Sequence, residues 1–120
     1  MLKKIMVFLA TSFLAGGVSA QGVLDQQALL GKWCFSHTEI AGSVDKENIP
    51  YEFFDNGEFS FKNSATASST RKANYSVDGD KLDIGGLAPG GLKVVELTDS
   101  VMIAEGMFSS KRHFYRGDCN

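Results

Sequence analysis

From Trp33 onward the chain alternates apolar and polar residues with a period of two, interrupted at short intervals by turn residues. Such alternation marks β-strands with one buried face. In the first strand Trp33, Phe35 and His37 share one face, and Cys34, Ser36 and Thr38 share the other. Residues 51–54 and 58–62 read as strands joined through Asp55-Asn56-Gly57, a hairpin signal because Asn and Gly tolerate positive φ. A second hairpin joins 74–77 to 81–84 across Asp78-Gly79-Asp80, and a third joins 92–97 to 101–105 across Thr98-Asp99-Ser100. Residues 109–116 supply the last strand. The polar, turn-rich stretch 41–50 is expected to be a loop across the wide end of the fold, and the small polar residues 63–69 another loop.

Two segments depart from this pattern. Asp25 can cap a short helical turn over 26–30, which Gly31 ends. Residues 1–20 carry the layout of a cleaved signal peptide: Lys3 and Lys4, an apolar run over 5–15, then Val18-Ser19-Ala20 as a small-residue cleavage site. The apolar run is about 11 residues, against the roughly 20 that a membrane span needs. No cysteine follows the cleavage site, so no lipid anchor is expected. The mature chain would begin at Gln21, form one domain over 21–120, and reside in the periplasm or be secreted.

About eight strands in sequence with tight turns and almost no helix predict an all-β, antiparallel up-and-down barrel, which leaves no exposed sheet edge. In such a barrel the first and last strands are neighbours, so the start of one lies beside the end of the other. Trp33 and Arg116 occupy those places, and the guanidinium can stack on the indole. Trp33 facing inward sends Cys34 outward, and Arg116 turned toward the closed end sends Cys119 outward by the same alternation.

The chain has two cysteines and so one possible intramolecular pair. An exported protein meets an oxidising compartment, which predicts a Cys34–Cys119 disulfide closing a loop of roughly 85 residues. No Cys-x-x-Cys is present to suggest redox chemistry. Removal of Lys3 and Lys4 from twelve basic residues leaves ten against fourteen acidic ones, a net charge near −4. This balance gives no basic stripe for nucleic acid and no surface-membrane character.

The helical turn over 26–30, Gly31-Lys32-Trp33, Thr98-Asp99-Ser100 and Arg116 together resemble the lipocalin-like (calycin) families of bacterial exported barrels. Their pattern has a turn before Gly-x-Trp, a Thr-Asp-Tyr, and an arginine after the eighth strand; here Ser100 stands in place of the tyrosine. The chain is also shorter than a typical lipocalin. The resemblance implies structural roles for Gly31, Trp33 and Arg116 and a small, apolar ligand inside the barrel. Phe35, His37, Phe53, Phe59, Phe61 and Tyr75 are the candidate lining residues, in an interior cavity of roughly 300 Å3 or more. A packed aromatic core that includes Tyr51 and Phe54 is the alternative. In that case the function would be protein binding, as an enzyme inhibitor or immunity protein, through an apolar rim patch at 40–50 or 21–24.

Catalysis is not expected. No Ser-His-Asp set, paired carboxylates or phosphate loop is evident, and the glycines of 85–91 lack the setting of a phosphate cradle. His37 and His113 lie on neighbouring strands without a third ligand, so neither metal nor cofactor is expected. Arg71, Lys72, Lys111 and Arg112 read as a solvated basic rim. Arg116-Gly117-Asp118 spells an adhesion tripeptide, but an arginine that caps the barrel is not presented to a receptor. The protein is expected to be a monomer.

Overall fold

The computed structural model describes residues 23–88 and 90–120. The expected signal peptide over 1–20 and the expected new N-terminus at Gln21 lie outside the described residues. A four-residue helix, α1 (Gln26–Leu29), precedes nine strands: β1 (Gly31–Ile40), β2 (Ser43–Phe53), β3 (Glu58–Phe61), β4 (Arg71–Asn74), β5 (Ser76–Asp78), β6 (Lys81–Asp83), β7 (Leu92–Leu97), β8 (Val101–Glu105) and β9 (Lys111–Arg116). All pairings are antiparallel, in the order β4-β3-β2-β1-β9-β8-β7-β6-β5.

β1 therefore sits mid-sheet between β2 and β9, and the two edges of the sheet, β4 and β5, are separated by the single residue Tyr75. Residues 71–78 act as one strand broken at Tyr75, whose first half pairs with β3 and second half with β6. Counted in this way the meander is an eight-stranded, nearly closed barrel, as the alternation predicts. The break is anchored by the Tyr75 amide, which donates to the Gly57 carbonyl at 2.8 Å.

The core follows from the alternation. Trp33, Phe35, Tyr51, Phe53, Phe59, Phe61, Met102, Ala104 and Phe114 all point inward and are buried. Aromatic and β-branched side chains suit this half-buried, pleated setting. Leu29 of α1 and Leu24 ahead of it are buried against one end and plug it.

Three sequence expectations change. Residues 41–50 are not a loop: Ala41 and Gly42 alone make the turn, with φ of 52° and 85°, and β2 starts at Ser43. The first six positions of β2 face solvent on both sides or nearly so, hence no alternation signals the strand. The final strand begins at Lys111, because the chain turns over Met107–Ser109 with Phe108 and Ser109 both at positive φ. Finally, a β-bulge between Phe35 and His37 breaks the parity of β1. Phe35 pairs with the inward Phe114, while His37 pairs with His113. The extra residue, Ser36, turns His37 to the outer face, so His37 does not line the interior.

Candidate functional site

The barrel has one locked end and one open end. At the locked end Asp25 caps α1, its Oδ1 accepting from the Gln27 amide at 3.0 Å. The Trp33 indole donates to the Leu29 carbonyl at 2.8 Å, and the Arg116 guanidinium carbon lies 3.8 Å from the centre of the Trp33 ring. Arg116 also donates to the carbonyls of Leu30, Ala28 and Asp99 at 2.7, 2.8 and 3.1 Å. Gly31 takes φ of 107°, and a Cβ there would lie 3.2 Å from Arg116 Nη1. The glycine thus answers both a backbone and a steric demand. Cys34 and Cys119 form a disulfide beside this lock, with Cα atoms 5.0 Å apart.

Above the lock the interior is occupied by aromatic rings. Phe53 and Phe59 have centroids 5.5 Å apart, Phe59 and Phe61 5.3 Å, Tyr51 and Phe59 5.8 Å, and Phe35 and Phe114 5.0 Å. Tyr75 meets the Phe53 ring edge-on at 5.1 Å, and its hydroxyl donates to the Phe54 carbonyl at 2.5 Å. The structure therefore brings five of the six candidate lining residues, Phe35, Phe53, Phe59, Phe61 and Tyr75, into one contiguous cluster with Tyr51. They contact one another, in the offset and edge-on geometries that aromatic pairs favour.

The sixth, His37, lies outside. Its ring stacks on His113 at 4.3 Å between centroids, its Nδ1 is 2.9 Å from Ser36 Oγ, and His113 Nε2 is 2.7 Å from Glu39 Oε1. Partial burial and the neighbouring His113 both hold the His37 pKa below its ordinary value, against a smaller opposing pull from Glu39. Among the described residues no three His, Cys, Asp or Glu side chains cluster as metal ligands do.

The open end is formed by the β1–β2 turn, the segment after β6 and the β8–β9 turn. Between them lies a cleft of about 200 Å3 lined by Ile40, Ala88, Leu92, Met107, Phe108, Ser110 and Arg112, with backbone from Gly91 and Gly106. Its floor is core: Ala88 and Leu92 are buried. Its walls are apolar yet exposed, Ile40 at 41%, Met107 at 54% and Phe108 at 84%. Arg112, expected on a solvated rim, faces inward instead. It pairs with Thr38, its guanidinium carbon is 5.5 Å from the Phe35 ring centre, and its Nη2 donates to the Leu87 carbonyl at 3.3 Å.

Beneath the cleft Thr38 Oγ1 donates to Glu47 Oε2 at 3.3 Å. Burial raises the pKa of the nearby Tyr51 hydroxyl, with Arg112 opposing and Glu47 reinforcing the shift. Met107, Phe108 and Arg112 were not among the candidate site residues. Arg112 was within reach of the same parity that places Phe114 inside. Two large apolar residues within a turn, at 107 and 108, were the other available sign.

The arrangement matches solved structures in outline. The chain is similar to a lipocalin-like protein from Bacteroides uniformis, with a TM-score of 0.62 and 23% identity over 75% of this chain and 99% of that one. The fold is lipocalin-like. An uncharacterized protein from Bacteroides eggerthii has the same outline, with a TM-score of 0.61 and 20% identity over 73% of this chain and 98% of the other. No protein-family model matches the chain, and no curated protein matches it in sequence. Identity this low carries the lipocalin-like architecture and leaves the site to be argued from this chain's own residues.

Proposed function

We propose that the protein is an exported, monomeric binding module that seats a small, largely apolar ligand at the open end of its barrel, with no catalytic step. The observation that carries this reading is the cleft itself: exposed Ile40, Met107 and Phe108 stand over a buried apolar floor at one mouth of the barrel. Exposed apolar side chains grouped around a concavity are the usual mark of a binding surface. At about 200 Å3 the cleft is smaller than the roughly 300–1,000 Å3 of fully engulfing pockets. On this reading the ligand is held at the mouth rather than swallowed. Export is supported by the signal-peptide layout of 1–20 and by a disulfide of the kind that persists in oxidising compartments.

The test is titration with a neutral apolar fluorophore such as N-phenyl-1-naphthylamine. Saturable enhancement that is lost in the Met107→Ser/Phe108→Ser double variant supports the mouth site. Absence of binding, or binding indifferent to both substitutions, removes it.

One observation favours a protein partner instead: Phe108, at 84% exposed, projects further than a small ligand requires. Native mass spectrometry of protein purified gently from the exported fraction separates the two readings. A small-molecule adduct supports the first, and a protein-sized adduct supports the second.

A further inference from the structure

Among the described residues Arg112 is the one charged side chain lining the mouth cleft, and no ion pair engages that charge. Among the described residues no carboxylate oxygen lies within 4.0 Å of its guanidinium; the ion pairs found are Lys32–Asp118 and His113–Glu39, both elsewhere. Glu47 is the acid on the facing strand, and its Oε2 accepts instead from the Thr38 hydroxyl. Lys111, beside Arg112 in sequence, is exposed on the opposite face of β9.

The contrast with Arg116 is instructive. Arg116 spends three donors on carbonyls and serves as a structural clamp. Arg112 gives a single bond, to Leu87, out of the five N–H groups that an arginine carries. It stands half-buried over the Phe35 ring and lines the cleft. A guanidinium is suited to bind a carboxylate or sulfate with two parallel hydrogen bonds, and a partly dry setting strengthens that pairing.

Resting on the reading of the open end as a ligand site, we propose that the cleft selects small amphiphilic anions: an acidic head bound by Arg112 and a short apolar body held by Ile40, Leu92, Met107 and Phe108. Neutral apolar compounds of the same size occupy the same walls but leave Arg112 unpaired. Discrimination between them is thus a property of one side chain.

Isothermal titration of the full mature protein with octanoate, octyl sulfate and 1-octanol tests this directly. The three share an apolar body and differ in the head. Octanoate or octyl sulfate, or both, should bind about tenfold or more tightly than octanol, the difference expected of one charge-assisted contact. The stronger of the two anions identifies the head. Arg112→Gln should bring the anions to the level of octanol while octanol affinity stays the same, and Arg112→Lys should restore part of the preference. Raised salt should weaken the anions alone, a measurement on the unaltered protein that holds even if Arg112→Gln fails to fold. Equal affinity of all three for the unaltered protein would overturn the anion selectivity and leave the apolar site standing. No binding of any of them would overturn both.

Discussion

Arg116 and Trp33 form the lock at the closed end: a guanidinium carbon 3.8 Å from the indole centre, with the same arginine bonded to the carbonyls of Ala28 and Leu30 just ahead of β1. The contact ties the last strand to the helical plug and the first strand at once. Arg116→Ala should therefore cost about 2–4 kcal/mol, since it strips bonds from partly buried carbonyls as well as the ring contact. Arg116→Lys should recover less than half of this, because an ammonium cannot reach several carbonyls in fixed directions. Urea unfolding of both variants measures the loss. A lysine variant as stable as the parent would show that charge alone, not the fork, makes the lock. Gly31→Ala should behave similarly, at about 1–3 kcal/mol, as its Cβ meets Arg116 while its φ stays positive.

The disulfide acts on the same corner by a different route. Cys34 and Cys119 are 85 residues apart, so their bond constrains most of the unfolded chain. The chain-entropy account gives about 4–5 kcal/mol for a loop of that length, an upper figure because residual structure lowers it. The Cys34→Ser/Cys119→Ser variant should lose several degrees or more of melting temperature while keeping its far-ultraviolet circular dichroism at low temperature. An unchanged melting temperature would mean the bond contributes nothing to the fold's stability.

Much of this fold is legible in the sequence, and the exceptions share a cause. The turns at 55–57, 78–80 and 98–100 are visible because Asn, Gly, Asp and Ser sit between strands that each bury one face. The meeting of Trp33 with Arg116 and of Cys34 with Cys119 follows from barrel closure and parity alone. The outer half of β2 is invisible because alternation records burial, and residues 43–46 are exposed throughout. β4 is hidden for the same reason, with only Ala73 of its four residues half-buried. The bulge at Ser36 is the costliest omission, as one inserted residue reverses the facing of everything after it in β1. It moves His37 out, opposite His113, and brings Thr38 in, opposite Arg112, which the unbroken parity of β9 already places inside. A period-two count has no means of registering such an insertion.

His37 makes stability pH-dependent in a stated direction. Its pKa is lowered in the folded state, chiefly by partial burial and then by His113. The unfolded chain, with an ordinary histidine near 6.5, binds its proton first as pH falls. Stability from this group is therefore present above about pH 6.5 and is lost on acidification through and below that value. His37→Asn should flatten the change in urea midpoint between pH 7.5 and pH 5, and the flattening should be modest because the ring is partly solvated. An identical pH profile in the variant would assign the acid sensitivity to other groups.

Phe108 offers a separation of stability from binding. The residue is 84% exposed and held at φ of 59° and ψ of 33°, a left-handed conformation that costs a side-chain-bearing residue about 1–2 kcal/mol. Exposure that high leaves little burial to offset the cost. Phe108→Gly should relieve the strain and lose some of the gain to greater unfolded-chain freedom, for a net change of about 0 to +1 kcal/mol. The same substitution removes the largest apolar wall of the cleft. Melting temperature should then hold or rise while affinity for a neutral apolar probe falls about tenfold or more, in line with the roughly 1.5–3 kcal/mol of a buried phenylalanine. A variant that melts lower would show that Phe108 packs the turn, and one that binds unchanged would take it out of the site.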